Sequence, residues 1–159
     1  MRIAGLCLLL IIISTSFSRV ELYKDYCNPR FDFCIKYPST FKNTQQSENN
    51  DGATFTSKDQ RAQILAYGRL VVEDLDKLEQ EFGFATDKIK IHYKVMKGSW
   101  FIFSGVDTAG NIIYQKTVKK AVNYMGDPGT EVFQTVRISY PPSQQNEYKD
   151  YCGIIAKSF

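Results

Sequence analysis

Apolar and polar positions alternate with a period of two through much of this chain. Phe31, Phe33, Ile35 and Tyr37 point one way, and Asp32, Cys34 and Lys36 the other, so residues 31–37 predict a half-buried strand closed by Pro38. Residues 43–52, Asn-Thr-Gln-Gln-Ser-Glu-Asn-Asn-Asp-Gly, are polar and rich in turn formers and predict a mobile loop. Ala53–Ser57 and Ala62–Arg69 predict a hairpin around Lys58-Asp59-Gln60-Arg61. From Asp74 to Phe84 the period lengthens. Leu75, Leu78 and Phe82 share one helical stripe, acids occupy the rest, and Gly83 suggests the stop.

Alternation resumes at Lys88–Val95. Ile89, Ile91, Tyr93 and Val95 are expected inside, and Lys88, Lys90, His92 and Lys94 outside. Ser99–Val106 is nearly all apolar and predicts a central strand buried on both faces. A turn at residues 107–111 leads into Ile112–Lys120, which completes a three-strand meander. A loop is expected over Tyr124–Thr130 and a last strand over Val132–Tyr140. After Pro141-Pro142-Ser143, Tyr148, Tyr151, Cys152, Ile155 and Phe159 recur at helical spacing.

Two stretches carry a resemblance. Arg30-Phe31-Asp32-Phe33-Cys34-Ile35-Lys36-Tyr37-Pro38, followed by Phe41, resembles the opening "Phe-x-Phe-x-Ile-x-Tyr-Pro" strand of the PsbP-like superfamily. Val136-Arg137-Ile138-Ser139-Tyr140-Pro141 and the helix ending Ile155–Phe159 are similar to its closing strand and helix. The resemblance implies an α+β fold: a single antiparallel sheet of about six or seven strands with helices packed on both faces. It also implies a binding or accessory role, as in photosystem subunits, a Ran-binding nuclear-transport factor and DcrB-type periplasmic proteins. A shared fold does not by itself fix a function.

The amino terminus changes the chemistry expected of the rest. Arg2, the apolar run Ile3–Ile13 and the small residues Ser16 and Ser18 predict a secretory signal peptide over residues 1–18. The run is shorter than the roughly 20 residues needed to span a bilayer core. One globular domain, residues 19–159, would remain, in the periplasm or secreted. Cys7 would leave with the leader, and Leu6 before it is too large for a lipoprotein cleavage site.

An oxidising compartment favours disulfides. Cys27 and Cys34 flank a turn-like stretch and are the expected pair. Cys152 then stays free, with pairing to Cys27 as the alternative connectivity. Tyr-Lys-Asp-Tyr-Cys occurs at both 23–27 and 148–152, with no wider repeat around it.

The formal charge is +3, falling to +2 without Arg2, which argues against a nucleic-acid partner. His92 is the only histidine and lies between lysines. A small hydrolase would need it beside a serine or cysteine and an orienting acid. No metal site is expected from one histidine and a cysteine pair committed to a disulfide. Asn49-Asn50-Asp51-Gly52 lacks the ligand pattern of a calcium loop. Glu73, Asp74, Asp76, Glu79 and Glu81 read as a solvated helix face, and no cofactor motif appears.

Lys88, Lys90, Lys94 and Lys97, with Lys116, Lys119 and Lys120, form either a basic contact patch or a guarded sheet edge. Aromatic content is 14%, and Phe31, Phe33, Tyr37, Tyr93, Trp100, Phe101 and Phe103 fall at core-like positions. Tyr124 and Met125, with Lys90 and Lys94, are therefore the candidate partner contacts. The expectation is an exported, non-catalytic protein-binding or accessory module, of inhibitor or immunity type. A hydrolase using His92 and a small-ligand carrier with a pocket between sheet and helix are the alternatives.

Overall fold

The computed structural model describes residues 23–72 and 77–159. The leader, its cleavage site, Cys7, and Glu73, Asp74, Leu75 and Asp76 lie outside the described residues. The elements run β1 (Tyr23–Asn28), β2 (Phe33–Pro38), β3 (Lys42–Gln46), β4 (Gly52–Thr56), β5 (Gln63–Leu70), α1 (Leu78–Ala85), β6 (Lys90–Lys97), β7 (Trp100–Val106), β8 (Ile112–Tyr124), β9 (Asp127–Tyr140) and α2 (Gln145–Ala156). A short 3₁₀ turn, Pro142–Gln144, opens α2.

Seven strands form one antiparallel sheet in the order β3-β4-β5-β9-β8-β7-β6, and β1 and β2 form a separate two-stranded sheet. The expected single sheet is thus corrected to two. The opening hairpin pairs with itself, where Cys27 lies opposite Cys34 and the two are bonded. This leaves Cys152 as the free cysteine among the described residues, half-buried on α2.

Two apolar clusters hold the layers together. Phe31, Phe33 and Ile35 of the opening hairpin and Tyr148, Tyr151 and Ile155 of α2 join Val132, Val136, Ile138 and Tyr140 of β9. Leu78 and Phe82 of α1 join Phe101, Phe103, Ile113 and Phe133. Val132 and Phe133 are sequence neighbours, so the clusters draw on alternate side chains of one central strand.

Several boundaries differ from expectation for identifiable reasons. The expected loop at 43–52 contains β3, an edge strand whose side chains are all exposed, so no buried face imposes an apolar alternation. The expected loop at 124–130 is a tight turn, because β8 and β9 pair out to Tyr124 and Asp127. Ser99–Val106 is not central: β7 is next to the edge, and β9 occupies the middle of the sheet. Gly83 lies inside α1, which ends at Ala85. Phe31 is buried as expected, but it sits in the turn before β2.

In β6 the register shifts between Ile91 and Tyr93. This bulge reverses the facing of the strand residues beyond it. Tyr93 is exposed, contrary to expectation, and the Lys94 ammonium lies 5.6 Å over the Phe82 ring. Lys116, expected in the basic patch, is buried. Its ammonium donates to the carbonyls of Ala156 and Ser158 at the end of α2, where a cation meets the negative end of the helix dipole. Lys119 pairs with Glu131 at 2.8 Å.

Candidate functional site

Strand register places a polar basin beneath α1. Leu65, Arg137, Gln115 and Phe103 lie side by side across β5, β9, β8 and β7. The next row in the same orientation is Tyr67, Thr135, Thr117 and Phe101, and beyond it Arg69 lies beside Phe133. The apolar ends of these rows, Phe101 and Phe103, receive Phe82 edge-on. The polar ends open into a cavity of 440 Å³ lined by Leu65, Tyr67, Arg69, Glu81, Phe84, Ala85, Gln115 and Arg137.

Hydrogen bonds fix the floor. Gln115, 1% exposed, donates from Nε2 to Thr117 Oγ1 at 3.0 Å, and the Thr117 and Thr135 hydroxyls are 2.9 Å apart. Tyr67 lies beside Thr135 across β5 and β9, and burial raises the Tyr67 phenol above its ordinary value. The expectation of a solvated Glu81 is corrected. Its carboxylate accepts two bonds from the Arg69 guanidinium and is buried, while Arg69 also stacks 4.6 Å over the Phe133 ring.

Arg137 is different. Its guanidinium is half-buried, and no hydrogen bond or ion pair to another described residue engages it. Burial pushes its affinity for the proton down, and the partial opposition comes from Tyr67 and from Asp107. Asp107 in turn accepts bonds from the backbone of Ala109 and Asn111 and from the Asn111 amide.

The larger groove, 620 Å³, lies between the β4–β5 turn and α2 and is lined by Thr40, Lys42, Ser57, Lys58, Asp59, Gln144, Glu147 and Tyr148. Its lysines are exposed, and Asp59 is committed to Ser57, Arg61 and Gln144. The Arg137 basin holds the desolvated charge and is the stronger site.

The residues singled out from the sequence are scattered. Tyr124 is half-buried, and Arg30 Nε donates to its hydroxyl at 2.9 Å while Phe31 packs on its ring at 5.5 Å. Met125, next in the turn, is 84% exposed. Lys90 lies opposite Val106, whose other partner is Ile112, at the far end of β8 from Tyr124. A strand of that length spans roughly 40 Å, so the lysines and the turn form no single patch. His92 is exposed at the β6 bulge, with no hydrogen bond to a described residue. Among the described residues, no group of three or more His, Cys, Asp or Glu could hold a metal ion.

The basin escaped the sequence reading. Its signal was present: Gln115 and Arg137 interrupt the two longest strands at facing positions. Their pairing, though, comes from register, which alternation alone does not set.

No family model and no curated protein matches the chain. A solution structure of cyanobacterial PsbP (CyanoP) from Synechocystis sp. PCC 6803 superposes with a TM-score of 0.61 at 10% identity, covering 91% of this chain and 95% of that one. The chain has a PsbP-like fold. At that identity the likeness concerns the PsbP-like architecture alone: neither the Arg137 basin nor the 124–127 turn takes a role from it.

Proposed function

We propose that the chain is an exported, non-catalytic module that docks on a protein partner through the tip of the β8–β9 hairpin. The observation that carries this is Met125, held out at the apex of a braced turn. Met125 and Gly126 both adopt positive φ, +52° and +95°, and Asn123 Oδ1 accepts from the Gly126 amide at 3.0 Å. Arg30 pins Tyr124 from behind while also bonding Asp51 at 2.7 Å. A fixed apolar tip loses little freedom on binding, and methionine suits such contacts. Tyr124 then acts as the brace and Met125 as the contact, with Lys90 and Lys94 outside it.

Export is supported by the disulfide and by the leader-like segment at residues 1–18. Under the same reading the two helices cover opposite faces of the large sheet, since alternate β9 residues feed the two clusters.

The test is a photo-crosslinking residue at position 125, compared with one at exposed Lys149. Position 125 should give a discrete adduct in the native exported fraction, and Met125→Glu should weaken capture of that partner at least tenfold, roughly 1.4 kcal/mol. Adducts no different from position 149 would end the proposal. A second reading, a small-ligand carrier, is favoured by one observation, the cavity beneath α1 with Arg137 in its wall.

A further inference from the structure

We propose that the Arg137 cavity binds a small organic carboxylate, with the carboxylate on Arg137 and an apolar body against Leu65, Phe84 and Ala85. This rests on the carrier reading and names its ligand class. It does not depend on Met125.

The cavity has two chemistries in one space. Arg137, Gln115 and Tyr67 form a polar wall, and Leu65, Phe84 and Ala85 an apolar one. A guanidinium presents two parallel N–H donors, matched to the two oxygens of a planar carboxylate. Arg137 has these donors uncommitted, since no described residue bonds them. Gln115 adds a nearly fully buried amide to the same wall.

The acids nearby do not compete. Glu81 is bonded twice by Arg69, and Asp107 is satisfied within its own turn by Ala109 and Asn111. Arg69 is paired with Glu81, which leaves Arg137 as the cation lining the cavity that no hydrogen bond or ion pair to a described residue holds, its charge met only in part by Asp107. A half-buried cation that no protein group pairs gains from an anion that reaches it. Phe84, 75% exposed on α1, supplies an aromatic wall at the cavity rim. These walls favour a ligand with a hydrocarbon or aromatic body over a fully hydrated inorganic anion.

The experiment compares sodium benzoate, its uncharged counterpart benzyl alcohol, acetate and inorganic phosphate on the unaltered chain. Binding is followed by amide and side-chain NMR shifts and by thermal unfolding. Benzoate should shift the Gln115 side-chain amide and the backbone signals of Leu65 and Phe84, and should bind at least tenfold tighter than benzyl alcohol, acetate or phosphate. Arg137→Gln should cost roughly tenfold or more for benzoate, and Arg137→Lys should recover part of it, since a lysine keeps the charge without the fork.

Equal binding of benzoate and benzyl alcohol would overturn the carboxylate assignment while leaving a carrier. No binding of either would overturn both. Because the four-ligand comparison uses the unaltered chain, a variant that fails to fold does not protect the proposal.

Discussion

Glu81 and Lys116 are charged residues at positions where periodicity reads solvent, yet both are buried. Each is held by a partner distant in sequence: Arg69 for Glu81, the last carbonyls of α2 for Lys116. Such pairing is invisible to local patterning, which assigns a charge to water because an unpaired buried charge is costly. Phe101 and Phe103 were legible because an apolar side chain needs no specific partner to be buried. Asp59 offers a test at this scale. It accepts from Ser57 Oγ at 2.6 Å, from the Arg61 amide at 3.1 Å and from Gln144 Nε2 at 2.9 Å, and the Ser57 bond leads in holding its carboxyl below the ordinary value of 3.8. A depressed folded-state value adds stability that is complete above the unfolded value and is lost as pH falls through the folded one. Unfolding free energy should therefore decline with acid below about pH 4, and Asp59→Asn should shallow that decline while costing stability at neutral pH. An unchanged acid slope in the variant would contradict the assignment.

At the scale of elements, the pentapeptide Tyr-Lys-Asp-Tyr-Cys is a strand at 23–27 and helical at 148–152. In α2, Tyr148 and Tyr151 are three apart, share one face and are both buried. In β1, the same spacing puts Tyr23 and Tyr26 on opposite faces, and neither is fully buried. Tyr23 and Tyr151 then stack with ring centres 6.1 Å apart, so the two copies meet through packing and not through symmetry. Local composition did not choose between the states. The neighbouring residues did: Pro142 opens the helix, and the Cys27–Cys34 pairing commits the first copy to a hairpin. An isolated two-stranded sheet is marginal in water, so this hairpin depends on its bond and its docking. Closing so short a loop should contribute about 2–3 kcal/mol in the chain-entropy model. Replacing both cysteines by serine should lower the denaturant midpoint by a matching amount, with the Cys152 thiol unaffected. A midpoint unchanged within error would mean that docking alone secures the hairpin.

At the scale of the molecule, the two sheets are joined where the β1–β2 turn lands on β5 and β9. Gln134, in mid β9, donates to the carbonyls of Phe31 at 2.8 Å and Asp32 at 3.1 Å. Asn28 donates to the Asn50 carbonyl at 2.9 Å, and Arg30 reaches Asp51 and Tyr124. The Phe31 ring fills a slot that exists only because residue 68 has no side chain: a Cβ there would lie 2.2 Å from Phe31 Cγ. The alternation in residues 31–37 identified the buried face of this segment but not its landing place, because nothing in a period of two says which strand lies underneath. Gly68→Ala should cost about 1–3 kcal/mol, since the added carbon must push Phe31 and the turn off the sheet. Phe31→Ala should cost about 3–5 kcal/mol by leaving a cavity. The two are coupled through one contact, so in the Phe31→Ala background the glycine substitution should cost much less than alone. The cycle, read from denaturant unfolding of all four proteins, separates a steric clash from a general loss of strand quality at Gly68, which would cost the same in both backgrounds. The displaced turn should also release Tyr124, so Gly68→Ala should loosen the 124–127 tip and weaken any partner held through Met125.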